Sequence, residues 1–412
     1  MIDWSEQGLM MRDAFRKFVE SEIAPNIEEL EYGDTPPYAV LRKMYKTFGI
    51  GEIARARFEK QIARDKRIAA GETVADKKKD VDPAEAAETA AMQIIPIIEL
   101  CHYSPGLITA MGVSVGLAAG SIMSKGTVRQ KERWGLDLLT LDKIGAWAIT
   151  EPGSGSDAFG GMKSVARRDG DDYVLNGSKT FITNGPYADT IIFICKLDDG
   201  GPVEERKVLT FVVEKGMPGL VQSKPLRKMG LHSSPTGELF LEDVRVTKEH
   251  LLGETEESPS REGAKDNFST ERSGVAAMAL GMVEQALKLS VEYARARVQF
   301  GKPIGDYQLI QLKLAKMEVA RMNIQNMVFR HIEMVAHGKK PTLAEASAMK
   351  LYAAQSCMDV CLEAVQIYGG NGYMSEYQVE QLCRDAKVLQ IYAGTDEMQT
   401  IHIARGLLQD GA

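Results

Sequence analysis

The spacing of apolar residues divides the chain into three stretches. From Trp4 to about residue 140, apolar positions recur every three or four residues with few β-branched runs, which predicts helices. From Gly145, short apolar runs such as Thr190–Leu197 and Lys207–Lys215 alternate with Gly, Asn and Pro turn signals, which predicts strands of a small antiparallel sheet or barrel. From about residue 268 the helical period returns and holds. The predicted order is therefore helical, β, helical.

The last stretch contains long helical patterns with short connections, which indicate a four-helix bundle. We therefore predict an α+β fold, mainly helical. Its parts are an N-terminal helical domain (1–144), a middle β-barrel-like domain (145–250) and a C-terminal four-helix bundle (251–412). Residues 54–88 interrupt the first domain with a highly charged segment. Its charge pattern predicts a solvated helix followed by a turn around Gly71, after which comes the basic run Lys77–Lys79.

Length and charge narrow the function classes. A chain of 412 residues is too long for one compact core. The net charge of −7 argues against a general nucleic-acid surface, although a local basic pocket for a phosphate-bearing ligand remains compatible with it. We find no apolar run of the roughly 18 residues that a membrane span needs and no signal peptide, so a cytoplasmic location is expected. The five cysteines lack metal-ligand spacing and favour reduced, buried thiols.

Two loops combine glycines with hydroxyl side chains. Thr150–Asp157 (TEPGSGSD) follows a Trp, and Asn176–Gly185 (NGSKTFITNG) places an aromatic residue between two threonines. Such loops let backbone N–H groups and hydroxyls approach a flat polar ring or a phosphate closely. Each loop alone is also an ordinary turn.

The ordered combination of motifs is more specific than either loop. Four further segments follow in the same chain: Met229–Val246, Ala296–Ile304 (ARVQFGKPI), Ala364–Tyr373 (AVQIYGGNGY) and Arg384–Gln399 (RDAKVLQIYAGTDEMQ). In sequence, order and approximate spacing, these motifs resemble those of the acyl-CoA dehydrogenase family. The resemblance runs from about residue 145 to the C-terminus, and the first helices are also similar.

The resemblance implies the same helical, β and four-helix-bundle architecture, usually as a homotetramer. It also implies FAD and an acyl-CoA substrate, whose α proton is removed as its β hydride passes to flavin N5, giving the trans-2-enoyl-CoA. The expected electron acceptor is an electron-transfer flavoprotein.

The resemblance also assigns binding residues. It implies that Trp147, Ile149, Thr150 and Ser156 line the flavin ring, with Phe181 and Thr183 covering its other part, and Ser156 would also meet substrate. Residues expected to meet the FAD of a neighbouring subunit are Arg297, Gln299, Phe300, Gln366 and Gly370. Thr395 and Glu397 would contact the adenosine side of FAD.

The resemblance implies that the catalytic base does not occupy the sequence position that is commonest in the family. Many relatives carry a Glu directly before the Gly-Thr of the C-terminal motif, where this chain has Ala393. Relatives similar to isovaleryl-CoA and long-chain acyl-CoA dehydrogenases take the base from an earlier helix, and the matching residue is Glu271. Arg272 would support substrate placement or form a structural salt bridge. The backbone N–H of Ala393 would donate to the thioester carbonyl, because that role needs no side chain.

Several alternatives stay open. An acyl-CoA oxidase of the same fold would pass its electrons to dioxygen, and a flavin-bearing relative could serve as a regulatory or nucleic-acid-binding protein. A catalytically silent subunit of a hetero-oligomer is a third possibility. The charged segment 54–88 replaces a turn common in the family. The helices after it, around Met92 to Gly116, would wall the acyl pocket, so chain length, branching or a ring in the acyl group stays undetermined.

Overall fold

The computed structural model describes residues 3–72, 82–257 and 261–409, with side chains omitted for 261–271. The chain begins with a series of helices. In chain order they are α1 (Glu6–Phe18), α2 (Ile27–Tyr32), α3 (Tyr38–Thr47), α4 (Ile50–Ala69), α5 (Pro83–Cys101), α6 (Pro105–Gly112), α7 (Gly120–Lys125), α8 (Val128–Gln130) and α9 (Leu136–Leu139). A π-helical segment, Val113–Ala119, joins α6 to α7.

The middle part is a curled half-barrel sheet. Its strands are β1 (Gly145–Ala148), β2 (Val165–Asp169), β3 (Asp172–Thr183), β4 (Thr190–Leu197), β5 (Val208–Glu214), β6 (Leu220–Gln222) and β7 (Thr236–Val246). Most neighbours are antiparallel, but β1 and β2 both pair with β4 in parallel. The expectation of a wholly antiparallel sheet was therefore wrong. β4 is buried along its whole length, as its unbroken apolar run requires.

The C-terminal helices form the bundle. They are α10 (Arg261–Ala296), α11 (Gln308–Ala336), α12 (Leu343–Tyr368), α13 (Gln378–Leu389) and α14 (Asp396–Gln409), and a short hairpin of β8 (Val298–Gln299) and β9 (Lys302–Pro303) separates α10 from α11. α12 contacts each of the other four helices. The predicted fold class is confirmed.

The first and last helical parts share one hydrophobic core. α5 packs against α1 on one side and against α10 and α11 on the other. Buried residues of one cluster therefore come from both ends of the chain, among them Phe15, Ile95, Met282, Ile324 and Leu389. The sheet has its own core, built from the inward side chains of its strands. The sheet is thus inserted between two halves of a single helical body.

Helix α4 covers much of the charged segment 54–88. It is a mostly exposed helix, as predicted, with Phe58 and Ile62 buried on the face that meets α3, α8 and α9. The basic run Lys77–Lys79 lies outside the described residues. The predicted turn occurs at Gly71, whose φ of 83° is in the left-handed region.

Two helical stretches are long and apolar enough to cross a membrane by length and composition alone: Pro105–Lys125 and Arg272–Ala296. The expectation that no apolar run reaches that length was therefore wrong. Half of the most apolar window of the first stretch and 67% of that of the second is buried within the protein. Burial against other helices explains their composition, because core helices are apolar over most of their surface.

A close helix contact generates a prediction. A Cβ at Gly281 in α10 would overlap the carbonyl oxygen of Ile98 in α5, whereas a Cβ at Gly274 in the same helix would meet nothing within 4 Å. Gly281→Ala should lower the free energy of unfolding by about 2 kcal/mol, because overpacking forces the helices apart. Gly274→Ala should raise it by up to about 1 kcal/mol through helix propensity. Urea unfolding of both variants checks this, and equal stabilities would contradict it.

Candidate active site

Three of the predicted flavin-lining residues lie together with Phe181 and Thr183. Trp147 is in β1, and Ile149 and Thr150 are in the loop after it. The backbone N–H of Thr180 in β3 donates to the carbonyl oxygen of Thr150 at 3.0 Å, so the loop runs beside β3. The pairing of β3 with β7 shifts register between Lys179 and Ile182. This bulge turns Phe181 outward, where 69% of its surface is exposed.

A buried ion pair fixes this loop. The Nζ atom of Lys179 donates to the carbonyl oxygen of Ile149 at 3.0 Å and to Oε1 of Glu151 at 2.9 Å, and the Lys179 side chain has no exposed surface. The Glu151 carboxylate also accepts the backbone N–H groups of Lys163 (2.7 Å) and Ser164 (2.9 Å). Burial by itself would raise the pKa of Glu151, but these hydrogen bonds outweigh burial and hold its pKa below the usual range.

The rest of this loop is open to solvent. Ser156 is exposed, and a Cβ built at Gly153 or Gly155 would meet nothing within 4 Å. The backbone of Glu151 pairs with that of Ser154 across the turn. The turn therefore has a fixed base and a free outer edge, where hydroxyl and N–H groups remain available to a ligand.

A second group of predicted residues meets at the turn between α13 and α14. Ala393 and Gly394 both have left-handed backbones, with φ of 53° and 86°. Arg272 of α10 is buried, its Nη1 donates to Ser347 Oγ at 2.9 Å, and its Nη2 lies 3.6 Å from a Cβ built on Gly394. Thr395 Oγ1 accepts the N–H of Met398 at 3.4 Å and so caps α14. Arg272, Ala393 and Thr395 are thus brought together.

Glu271 directly precedes Arg272 in α10, and its side chain lies outside those described. The sequence suggested a position near a helix start. α10 begins at Arg261, ten residues earlier, so Glu271 is inside the helix rather than in its first turn. A favourable interaction with the N-terminal helix dipole, which fades after the first turn, therefore does not explain this residue. Glu397, by contrast, lies exposed in the first turn of α14.

The residues assigned to a neighbour's cofactor lie at the other end of α10. Arg297, Gln299 and Phe300 occupy the exposed β8–β9 hairpin, and 95% of the Phe300 surface is exposed. Gln366 and Gly370, also exposed, lie at the end of α12. The rings of Tyr293 and Tyr368 stack there, with centroids 4.0 Å apart, and join the two helix ends. At 1.5 Å per residue, this end lies about 36 Å along α10 from Arg272.

Strained backbones mark three of the predicted residues. Phe181, Phe300 and Ala393 are non-glycine residues with φ of 56°, 51° and 53°. A left-handed backbone is uncommon for residues with a Cβ, and such strain is concentrated at functional sites. One of these residues belongs to each of the three groups.

The sequence interpretation missed four side chains that shape the site: Glu151, Lys179, Lys350 and Gln399. Lys350 and Gln399 lie fully buried beneath the Ala393–Gly394 turn, as described below. A signal was present for Lys350, which lies in the alanine-rich start of α12, because a lysine among apolar residues of a helix is rarely buried without a partner. Lys179 lies among the polar residues of the NGSKTFITNG strand, where no such signal marked it.

Known proteins resemble this chain over nearly its whole length. Residues 146–244 match the acyl-CoA dehydrogenase middle domain and residues 262–408 match the acyl-CoA dehydrogenase C-terminal domain. An acyl-CoA dehydrogenase of Bacillus subtilis (strain 168) is 36% identical over 405 residues, covering 98% of both chains. The caffeyl-CoA reductase-Etf complex subunit CarC of Acetobacterium woodii is 34% identical over 411 residues, covering 98% of this chain and 99% of the relative.

The fold also matches solved structures. Butyryl-CoA dehydrogenase from Megasphaera elsdenii superposes with a TM-score of 0.83 at 33% identity, covering 99% of this chain and 100% of that one. The match therefore extends over all three parts of the structure.

The Glu151–Lys179 pair predicts how stability depends on pH. At pH values between the depressed pKa of Glu151 in the folded protein and its ordinary pKa in the unfolded chain, the Glu151 carboxyl is protonated mainly in the unfolded chain. The free energy of unfolding should therefore fall as the pH is lowered through that window. Glu151→Gln should show a smaller fall, measured by urea unfolding at a series of acidic pH values. Identical pH slopes in the two proteins would contradict this.

Proposed function

The chain belongs to the acyl-CoA dehydrogenase family, and we propose that it converts an acyl-CoA thioester to the trans-2-enoyl-CoA with Glu271 as the base. The family, its enzyme class and its flavin cofactor are the premises; the base and the other site roles are proposals. The observation that supports them is the position of Arg272, whose Nη2 lies 3.6 Å from a Cβ built on Gly394. The part of α10 next to Glu271 is therefore close to the turn that holds Ala393.

The residues around β1 and β3 fit a flavin. They offer an outward aromatic ring at Phe181, hydroxyls at Thr150 and Thr183, and glycines with open space beside them. The Lys179–Glu151 pair keeps the loop rigid, so little ordering is required when a ligand binds. FAD bound there would accept the hydride from the β carbon of the substrate. The chain's own residues bind the ring, orient it and shield it from water.

The removal of the α proton needs a carboxylate near the substrate. Position 393 is an alanine, and Asp396, a described carboxylate close to the turn, already accepts from Lys350 at 3.4 Å and from Gln355 at 3.2 Å. Glu271, next to Arg272, supplies the carboxylate in our proposal. A carboxylate in a site that excludes water is a stronger base, because burial disfavours its charged form.

The backbone of Ala393 provides the matching electrostatic partner. Among the described residues, no acceptor receives its N–H group. We propose that this N–H donates to the thioester carbonyl oxygen, together with the flavin ribitol hydroxyl that the family provides. Negative charge grows on that oxygen as the α proton leaves, so a fixed donor lowers the barrier. Arg272 and Ser156 would contact other parts of the bound thioester.

We propose a homo-oligomer, which we expect to be a tetramer, and two surfaces support it. The hairpin with Arg297 and Phe300 lies about 36 Å along α10 from Arg272, so it is remote from the active site of its own chain. Helix α11 also exposes an apolar stripe at helical spacing, which consists of Leu309, Leu312, Val319 and Met322. A second copy covering this stripe would carry its own hairpin toward a neighbouring site. Each flavin site would then draw on two chains.

An electron-transfer flavoprotein is the proposed acceptor. Support comes from the relative that is named as a subunit of an Etf complex. The alternative, an oxidase using dioxygen, would turn over in air without an artificial acceptor. A cytoplasmic location is also proposed, because all five cysteines are free thiols and disulfides are rare in reducing compartments.

Replacement of the base is the main test. Glu271→Gln should retain FAD but lose about a thousandfold in the rate of flavin reduction, because a neutral amide cannot accept the proton. The measurement is anaerobic bleaching of the flavin band by a panel of straight, branched and ring-bearing acyl-CoA thioesters. Adding Ala393→Glu to that variant should restore part of the rate. Glu292→Gln, on an exposed part of α10, serves as the matched control. A near-wild-type rate for Glu271→Gln would exclude Glu271 as the base.

The oligomer is tested on the α11 stripe. Leu312→Lys combined with Val319→Lys should lower the molar mass measured by light scattering and reduce FAD retention, because two charges at the centre of the stripe oppose its burial. Val221→Lys, on the exposed strand β6, should change neither property. A wild-type protein with the mass of a single chain would contradict the shared site.

A further inference from the structure

Two fully buried side chains hold the Ala393–Gly394 turn from beneath. The Nε2 atom of Gln399 donates to the carbonyl oxygens of Ala393 at 3.0 Å and Gly394 at 2.6 Å. The Nζ atom of Lys350 donates to the same Gly394 oxygen at 2.9 Å. Neither residue has exposed surface. The two peptide groups that follow Ala393 are thus anchored by buried side-chain donors.

The backbone anchors the turn at both ends. The N–H of Tyr392 donates to Val388 O at 3.0 Å, and the N–H of Asp396 donates to Gln390 O at 3.0 Å. The carbonyl groups of Ala393 and Gly394 are therefore held on the inside by side chains, and the flanking residues are held by backbone. The consecutive left-handed residues between these anchors leave the Ala393 N–H as a donor without an acceptor among the described residues.

We propose that Gln399 and Lys350 are positioning residues that aim the Ala393 N–H at the substrate's thioester carbonyl. This inference rests on the proposed function, in which that N–H stabilises the charge that develops on the thioester oxygen. Neither side chain touches the substrate; both act through the turn. A donor must lie within a few tenths of an ångström of its productive position, and misplacement by about 1 Å can cost roughly a hundredfold in rate.

The buried charge beneath the turn also supports a positioning role for Lys350. The Lys350 ammonium is buried, which lowers its pKa, and Asp396, 3.4 Å away, only partly offsets that cost. The Arg272 guanidinium, whose Nη2 lies 3.6 Å from a Cβ built on Gly394, lowers the pKa of Lys350 further. An apolar side chain would fill this space at a lower desolvation cost than a lysine. The hydrogen bond that Lys350 donates to the Gly394 oxygen gives a reason for a lysine at this place.

The central experiment removes the donors and keeps the volume. Gln399→Met should lower kcat about 10- to 100-fold while KM changes less than about threefold, because the lost interaction matters mainly in the transition state. The second readout is the pKa of bound 3-oxobutyryl-CoA, followed by the absorbance of its enolate. This thioester ionises without turnover, so its pKa reports the oxyanion donors directly, and the variant should raise it.

Gln381→Met is the matched control. Gln381 is also a buried glutamine that donates to a backbone carbonyl, that of Tyr103 at 2.8 Å, but it lies away from the turn. It should lose comparable thermal stability and keep wild-type kcat and enolate pKa. If Gln399→Met behaves like Gln381→Met in both readouts, the glutamine has only a structural role and the proposal is overturned.

Variants of Lys350 provide an independent test of the proposal if Gln399→Met does not fold. Lys350→Met should also raise the enolate pKa and lower kcat, and Lys350→Arg, which keeps the cation, should recover part of both. Unchanged values in Lys350→Met would overturn the role of this residue. Failure of the proposed reaction gives a different result. In that case none of the acyl-CoA thioesters would bleach the flavin of the wild-type protein. The pKa of bound 3-oxobutyryl-CoA would still decide whether these residues position the turn.

Discussion

The close packing of α5 against α10 is the contact on which the rest of the structure depends. Gly281 lets the α10 backbone approach the carbonyl of Ile98 in α5 at a distance that any side chain would prevent. Because α5 precedes the sheet in the chain and α10 follows it, this contact closes one helical core around the insertion point of the sheet. It also sets where α10 passes α12, and so brings Arg272 close to the turn at Gly394.

The sheet is joined to this helical body by buried hydrogen bonds rather than by apolar contact alone. The side chain of Asn184 accepts from the Tyr38 hydroxyl at 3.0 Å and donates to the carbonyl oxygens of Ala110 (2.8 Å) and Gly145 (2.9 Å). On the other side, buried Asp385 accepts the backbone N–H of Leu231, and burial raises the pKa of its carboxyl. Hydrogen bonds are directional, so these two residues fix the orientation of the sheet more narrowly than hydrophobic packing could.

The same logic applies at the candidate site, where rigid supports allow strained backbone. Ala393 adopts a left-handed conformation that costs on the order of 1 kcal/mol or more for a residue with a Cβ. The hydrogen bonds from Gln399 and Lys350 offset that cost locally. Phe181 is held in the same way by the bulge in β3 and by the adjoining Lys179–Glu151 pair. Ligand-facing groups are thus presented by a scaffold that is already ordered, which reduces the entropy lost on binding.

The sequence by itself determined the order of helical and strand segments, because apolar periodicity reflects the local geometry of each element. It also determined the family, because the motifs around Phe181, Phe300 and Ala393 are contiguous in the chain. Only the tertiary structure decided which separate residues meet: Arg272 with Gly394, Lys179 with Glu151, and Lys350 and Gln399 with the same turn. It also decided that the first and last helices share one core and that β1 and β2 run parallel to β4. The reason is physical: contacts between residues far apart in the chain depend on how whole elements pack, and local spacing carries no record of that packing.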